Sequence, residues 1–428
     1  MSNINDSVAK EAFEVLARDA LKRIQEAGEA LEGYRGGIAF YDRRRDEQFT
    51  NLDSFVDAVS ALNALPFVRS QYGDESGRRL ALQFVYGFSG DLAEPIFDAS
   101  AFGDAWSSFW QELVANEWTY IQVANIQNFR SVSSHLDLGD GVSIRGRSFE
   151  ELRRITGWGD FELGELSEDW RQGVKSSHVL IVESKVPKSP DNLVQANDPA
   201  VLMKAQRALM AMRLLKEGDI RVGRAFDSRP AAFNLGLGGL SSSGFSVWHP
   251  GPQYQLEESE AGPVRALFET VTRFEDLHSD KFRNIALALR RFSSIYDRHP
   301  ADDRVVDAII AIEALLKIDS ELSFRLAFRT AGILAAHDNE RIAIFREMRD
   351  YYDARSRIVH GGTLKRKQEA LLRSDEPLRN TVRRLLVAFL RLVESAEHQP
   401  TTQFYNRLDA TLQHSQRRAE LRNAMGLA

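Results

Sequence analysis

The chain of 428 residues is predicted to be an α+β protein, with a mixed N-terminal region followed by an all-helical bundle. Two observations support this prediction. Short segments with strand-like patterning lie between Gly, Ser, Asp and Pro clusters in the first part of the chain. After a loop-rich passage over 227–262, apolar residues recur at helical spacing. We therefore expect an α+β sensing or regulatory region over 1–262, with one or two subdomains, a helical domain over 263–400 and a polar helical tail over 401–428.

The N-terminal region begins with two predicted helices. Apolar residues recur at helical spacing over 6–31, and Gly33 and Gly36-Gly37 end the run. A second helix is expected over 52–65, ahead of Pro66. The remaining segments are predicted from their patterning, without a strand order: strands over 80–87, 118–123, 178–186, 219–226 and 244–248, and helices over 102–115, 149–155 and 198–216.

The C-terminal half is predicted to contain six helices and a weaker one in the tail. Pro300, the Asp319-Ser320 pair, Gly361-Gly362 and Pro377 mark their boundaries, and Ser320 or Asp319 is a candidate N-cap. The expected helices cover 263–277, 282–298, 302–318, 321–336, 339–359 and 375–397.

Composition limits the chemistry. The chain has no cysteine, which excludes disulfide bonds, thiolate zinc sites and cysteine nucleophiles. The N-terminus mixes acids and bases and has no signal-peptide pattern. The longest apolar runs, such as 385–390, are far shorter than the ~20 residues of a membrane span. We therefore expect a cytoplasmic protein without membrane contact.

Charge is distributed unevenly along the chain. From Lys281 onward there are 26 Lys and Arg against 19 Asp and Glu, so this part carries +7 and the rest carries −13. A basic region is compatible with a polyanion site in the C-terminal half. Two solvated surfaces of opposite sign would give the same imbalance.

Arg355 occupies an unusual position on the helix predicted over 339–359. At 100° per residue it falls within an apolar stripe formed by Ile342, Phe345, Met348, Tyr352 and Val359. An arginine facing the core is costly unless it has a partner or opens onto an interface. His360 follows at the helix end, just before the two glycines.

Glu313 is the natural partner for that arginine. It lies in the middle of a helix, over 305–316, that is apolar nearly all round and should therefore be central. A Glu–Arg pair between neighbouring helices would fix the direction of the guanidinium. Arg325 and Arg329, on the helix between them, are alternative partners for Glu313.

These residues belong to three segments whose order and spacing resemble the HEPN superfamily, in its Apea-like branch. The segments are AIEALL (311–316), LSFRLAFRTAGIL (322–334) and YYDARSRIVHGG (351–362), and the resemblance covers about 265–400. Arg355, four residues and then His360 match the Arg-x(4–6)-His signature of that superfamily. The resemblance implies a helical bundle that forms a symmetric homodimer, with two Arg/His motifs facing each other in a shared cleft.

The resemblance also implies a metal-independent endoribonuclease that needs no cofactor. In that reaction a ribose 2′-hydroxyl attacks the adjacent phosphate and leaves 2′,3′-cyclic phosphate ends, so DNA is not a substrate. His360 can move protons near neutral pH, and Arg355 can neutralise the phosphorane oxygens. Because Apea-like proteins are associated with bacterial defence against phage, an abortive-infection effector with a phage-derived trigger is expected.

Catalytic members of the family usually carry Asn, Asp or His directly after the motif arginine, whereas this chain has Ser356, whose hydroxyl can still hydrogen-bond. Asp353 and Arg357 are expected to form a surface pair. After the glycines, Lys365-Arg366-Lys367 is a candidate contact for RNA phosphates, or a solvated loop.

Three other interpretations stay open. Arg355 and His360 are also compatible with a core Arg–Glu pair and a helix-capping histidine, or with a non-catalytic HEPN module that binds RNA or a nucleotide. Glu183-Ser184-Lys185, with Asp169 upstream, resembles the acidic motif of metal-dependent nucleases, although short matches of this kind are common. Gly236–Leu240 lacks the glycine spacing of a nucleotide loop and is predicted to be an ordinary loop.

Overall fold

A computed structural model describes residues 2–28, 43–92, 94–146, 148, 178–189, 199–228 and 251–427, apart from 75, 299 and 396. These residues fall into two compact units. The N-terminal unit contains the described residues of 2–127, 134–205 and 222–228. The C-terminal unit contains those of 128–133, 206–221 and 251–427. The units therefore do not follow the predicted boundary at 262/263.

The N-terminal unit begins with six helices. They are α1 (Ser2–Ala27), α2 (Arg43–Thr50), α3 (Asp53–Asn63), α4 (Pro66–Tyr72), α5 (Ser76–Asp91) and α6 (Ala99–Val114). The predicted helices at 6–31, 52–65 and 102–115 are confirmed as α1, α3 and α6, with α1 ending at Ala27. Gly33 and Gly36-Gly37, the predicted end of the first helix, lie outside the described residues.

The predicted strand over 80–87 is wrong, since these residues form part of α5. Most of this helix is buried, and its exposed positions, such as Arg78 and Gly87, leave only a narrow polar strip. The buried apolar residues are Leu80, Ala81, Leu82, Phe84, Val85 and Phe88. Phe84 packs edge-on against Phe13, with ring centroids 5.0 Å apart, and against Phe109 at 5.1 Å. These aromatic contacts join α1, α5 and α6 in the core of the unit.

A five-stranded sheet completes the N-terminal unit, in the order β3-β4-β5-β1-β6. The strands are β1 (Glu117–Gln127), β3 (His135–Gly139), β4 (Val142–Gly146), β5 (His178–Pro187) and β6 (Arg221–Ser228). β1 and β5 are antiparallel, with Glu117 opposite Pro187 and Asn125 opposite Val179. The strands predicted at 118–123, 178–186 and 219–226 are confirmed, and the β3–β4 hairpin was not predicted. The segments predicted at 149–155 and 244–248 lie outside the described residues.

The helix predicted over 198–216 is confirmed as α7 (Pro199–Leu215), whose residues from 206 onward belong to the C-terminal unit. That unit also contains a short parallel pair of strands, β2 (Phe129–Ser131) and β7 (Tyr254–Leu256). A 3-10 turn over Glu258–Glu260 leads into its helices.

The helices of the C-terminal unit confirm all six predicted segments. They are α8 (Ala261–Leu277), α9 (Arg283–Asp297), α10 (Ala301–Leu316), α11 (Leu322–Leu334), α12 (Asp338–Val359), α13 (Arg366–Arg373), α14 (Glu376–Val393), α15 (Thr402–Gln413) and α16 (Ser415–Ala424). The N-cap of α11 is Glu321, with φ of 48°, and not Ser320 or Asp319. The α+β class is thus confirmed for the described residues.

The predicted polar tail is part of the bundle, because α15 and α16 contribute to its core. Tyr405, Leu408, Leu412, Leu421 and Met425 are all buried in the same apolar cluster as α10, α11 and α14. Their polar neighbours face solvent, which gave the tail its polar composition. In the part of the chain that the structure describes, no helix combines the length and the apolar character of a membrane span.

Candidate functional site

Glu313 is placed by α10, half of whose residues are buried in the C-terminal unit. Val305, Ile309, Ile312 and Leu316 are all fully buried on this helix. Glu313 lies on the side of α10 that packs against α12, and 17% of its side chain remains exposed. An acidic side chain is thus held among apolar helices, as the sequence predicts.

Arg355 extends from α12 toward the same place, although the predicted stripe on this helix is partly wrong. Met348, Tyr351 and Ala354 form the buried face of α12. Ile342 and Val359, which the stripe placed in the core, are 49% and 51% exposed. The prediction assumed 100° per residue along the whole helix, which holds only approximately. The observed core face therefore includes Tyr351 where the predicted stripe had its neighbour Tyr352.

The predicted pairing of Arg355 and Glu313 is present. Arg355 Nη2 lies 3.7 Å from Glu313 Oε2, and 22% of the arginine side chain is exposed. This distance is too long for a good hydrogen bond. Arg355 Nε and Glu313 Oε1 are buried and have no hydrogen-bond partner among the described residues. The guanidinium is therefore oriented by a charge while at least one of its donors remains uncommitted.

Burial controls the ionisation of the carboxylate. It raises the pKa of Glu313 above its usual value, and the positive charge of Arg355 opposes this increase. Burial likewise raises the pKa of Tyr352, on the adjacent turn of α12, and the charge of Glu313 adds to the effect. The raised pKa of Glu313 means that the loss of solvation on burial exceeds the attraction between its carboxylate and Arg355.

His360 caps the C-terminus of α12 and is exposed. Its backbone N–H donates to the carbonyl of Ser356 at 3.1 Å, and Gly361 follows with φ of 66°. The N–H of Gly362 donates to the carbonyl of Arg357 at 2.8 Å, which satisfies another free carbonyl of the last turn. The glycine is needed because the left-handed conformation disfavours other side chains. The imidazole is thereby held at the open end of the helix.

The structure does not bring Arg355 and His360 together within one chain. Five residues along a helix correspond to about 7.5 Å of rise and about 140° of rotation. No hydrogen bond or ion pair joins them among the described residues, and one is partly buried while the other is exposed. Within one chain, the helix therefore directs the two side chains toward different sides of α12.

Arg329 has a different role from the one predicted, and the expectation that it supports Glu313 is wrong. Its Nε and Nη2 donate to Asp409 Oδ1 and Oδ2 at 2.6 and 3.0 Å, and its Nη1 donates to the carbonyl of Leu316 at 2.7 Å. This pair, in which the arginine is buried and the aspartate is partly exposed, joins α11 to α15. Arg325 likewise pairs with Asp319 and Glu321 and not with Glu313.

The basic run after the glycines begins a helix and is not a loop. The Lys365 N–H donates to Gln368 Oε1 at 3.0 Å, at the start of α13. Lys365, Arg366 and Lys367 are exposed, and Lys367 forms an ion pair with Asp350 on α12. These cations remain accessible to a polyanion, although one is partly neutralised.

Two residues in the last turns of α12 make contacts that the sequence did not predict. Ser356 is partly buried, and its backbone carbonyl accepts the bond from His360. The predicted surface pair of Asp353 and Arg357 is wrong. Arg357 Nη1 instead donates to the carbonyl of Thr363 at 3.3 Å, which ties the turn after the glycines back to the helix.

A cleft of about 760 Å³ on the exposed side of α12 was not predicted. Its lining includes Phe345, Arg346 and Arg349 of α12, Phe328 of α11 and Leu412 of α15. Ile342 and Phe345 were the available signal, but they were interpreted as part of a core stripe. Sequence alone does not show that α15 forms the opposite wall.

The residues of the alternative metal site lie partly outside the described chain. Glu183 and Lys185 are near the end of β5, whereas Asp169 and the Gly236–Leu240 loop are outside the described residues. Within the described ranges, no three His, Asp or Glu side chains are grouped closely enough to hold a metal ion.

Comparisons of the chain with protein-family models, with curated proteins and with solved structures find no match. The resemblance in the three segments around Arg355 therefore depends on those residues alone.

Proposed function

We propose that this chain is a metal-independent endoribonuclease of the HEPN type, with Arg355 and His360 as its catalytic residues. The proposal depends on the environment of Arg355, which is oriented by Glu313 at 3.7 Å and keeps a buried donor that has no partner among the described residues. Its helix ends at an exposed histidine. An oriented, partly desolvated guanidinium is suited to stabilise charge that develops on phosphate oxygens.

The chemistry uses the RNA itself as nucleophile. His360 of one protomer removes the proton of a ribose 2′-hydroxyl, and the 2′-oxygen forms a bond to phosphorus. The bond to the 5′-oxygen breaks, and that oxygen takes a proton from a second imidazole. The products are a 2′,3′-cyclic phosphate and a 5′-hydroxyl, and no oxidant, metal or water is consumed.

A symmetric homodimer supplies the two imidazoles that this reaction needs. One chain carries a single motif histidine, and the helix directs Arg355 about 140° away from it. Pairing the exposed ends of two α12 helices would place one arginine and one histidine from each chain around a phosphate. A two-fold axis brings the same surface of both chains into contact, so a single kind of interface is enough to form the dimer.

The test is incubation of the full chain with total RNA and transfer RNA in excess EDTA. Arg355→Ala and His360→Ala should abolish cleavage, whereas the matched controls Arg357→Ala and His398→Ala should retain it. The same four variants are compared in cells before and after phage infection, since the defence role implies a trigger. RNA that stays intact under both conditions, or cleavage that Arg355→Ala leaves unchanged, would overturn the proposal.

A non-catalytic RNA-binding module is the second candidate. It is favoured by the cleft on α12, where Arg346 and Arg349 form no ion pair or hydrogen bond with other described residues. This candidate predicts that the native chain binds RNA without cutting it, and that Arg355→Ala leaves the affinity unchanged.

A further inference from the structure

The cleft on α12 combines an apolar wall with uncommitted positive charge. Phe328 and Phe345 line it, and the exposed Phe324 lies against both, with ring centroids 5.8 Å apart in each case. The Phe324 and Phe328 rings are stacked at 8°, and the Phe324 and Phe345 rings are edge-on at 73°. Leu412 closes the apolar side.

Basic side chains also line the cleft. Arg346 and Arg349 are exposed and form no ion pair or hydrogen bond with other described residues. Arg341 is partly neutralised by Asp338 at 3.1 Å, and Lys367 is paired with Asp350. The lining contains four cations and two carboxylates, those of Asp350 and Asp353, so the cleft attracts an anion.

The cleft is aligned with the proposed catalytic end of the helix. Arg346, Arg349 and Asp353 lie on one face of α12, and continuing this face by two turns reaches His360 within about 20°. The distance along the axis from Arg349 to His360 is about 16 Å. A chain of phosphates that contacts Arg349 therefore leads toward the exposed imidazole.

We infer that this cleft binds single-stranded RNA, with a base against the Phe328–Phe345 wall and its phosphates on Arg346 and Arg349. The inference rests on the proposed function, for which it names the substrate class and the binding track. An aromatic wall stacks on bases only when they are unpaired, and guanidinium groups bind phosphate through two donors. The bases of a duplex would not reach the apolar wall.

Equilibrium binding tests this assignment with the full-length His360→Ala chain and a fluorescent 12-nucleotide RNA without secondary structure. Replacing both Arg346 and Arg349 by Gln should weaken binding at least tenfold and lower the salt slope by about 1.4, since each single-strand phosphate contact contributes ~0.7. Phe345→Leu keeps the apolar volume and should weaken binding about fivefold or more. The control, Arg283→Gln with Arg290→Gln, removes the same charge from exposed positions on α9 and should leave the affinity unchanged.

Competition identifies the ligand. A duplex of the same length and a mononucleotide should each compete at least tenfold less well than the single strand. Equal competition by the mononucleotide, by the duplex or by an acidic peptide would overturn the assignment to single-stranded RNA, as would an equal loss of affinity in the control variant.

Cleavage measurements separate this inference from the proposed function. In an active chain that retains His360, the Arg346→Gln and Arg349→Gln pair should raise KM and leave kcat within about twofold. An unchanged KM would overturn the assignment of RNA binding to the cleft but would leave the proposed nuclease activity unaffected. Cleft-dependent binding by a chain that never cuts RNA would support the cleft and overturn the nuclease.

Discussion

Glu313→Gln tests whether the pair with Arg355 serves orientation or stability. At 3.7 Å and an effective dielectric constant of about 20, the attraction between the two charges is about 4.5 kcal/mol, and it is about 1 kcal/mol in water. The raised pKa of Glu313 shows that burial costs more than this attraction returns. The ionised carboxylate is thus a net cost to the folded state, and glutamine removes that cost while keeping the shape.

The expected change in stability is small and favours the variant. One unit of pKa corresponds to ~1.4 kcal/mol, and the partial exposure of both side chains reduces the effect. We expect Glu313→Gln to increase the free energy of unfolding at pH 7 by less than about 1 kcal/mol. Its cleavage rate should fall about tenfold, equivalent to ~1.4 kcal/mol in the barrier, because Arg355 loses the charge that orients it.

The pH dependence has a definite sign. Because the folded-state pKa of Glu313 is raised, the protonated carboxyl group favours the folded state. This contribution to the free energy of unfolding is complete below the reference pKa of 4.5 and is lost as pH rises through the folded-state pKa. The native chain should therefore lose stability relative to Glu313→Gln between pH 4.5 and pH 7. Urea unfolding at several pH values measures this difference. A variant that is less stable at pH 7, with a deficit that grows with pH, would show instead that the ionised carboxylate stabilises the fold.

Three further predictions concern stability. Asp409→Asn should lower the free energy of unfolding by about 3 kcal/mol in a urea titration, because the variant leaves the buried Arg329 charge without a counterion. The control Asp302→Asn, at the start of α10, should change the free energy of unfolding by less than about 0.5 kcal/mol. Gly141→Ala should lower Tm more than Gly139→Ala, since both have positive φ but only a Cβ at 141 would clash with a backbone oxygen, that of Glu183; equal losses would contradict this. Burial raises the pKa of Glu112 to about 8, so Glu112→Gln should gain stability over the native chain as pH rises from 4.5 through about 8, and a gap that is constant with pH would contradict the assignment.

The bundle was predictable because its helices are amphipathic or end at recognisable residues. Pro300 and Gly361 set two boundaries correctly, and an acid within the apolar run of α10 identified Glu313 as a partner for Arg355. The α5 helix was missed because it is buried on several sides and so has no helical period. The hairpin at Asp140-Gly141 was missed although an Asp-Gly pair between two five-residue strands is a turn signal that the sequence does contain.

The long-range partners of the site could not be derived from local pattern. Arg329 lies in the helix next to Glu313, and nothing in the intervening sequence indicates that Asp409, 80 residues away, is its partner. Likewise, the polar composition of the tail gave no indication that Leu412 is buried in the core and also lines the cleft. Such contacts depend on how α15 packs against α11, which is a property of the whole bundle.

The most direct test of the central claim uses one RNA oligonucleotide, cut by the full chain in excess EDTA, and the same oligonucleotide with a single 2′-deoxyribose at the mapped cleavage site. The proposed mechanism predicts a 2′,3′-cyclic phosphate and a 5′-hydroxyl at the cut, no cleavage at the deoxy position, and no product from Arg355→Ala or His360→Ala. Cleavage at the deoxy position, or activity that EDTA removes, would contradict attack by the 2′-hydroxyl and with it the assigned roles of both residues.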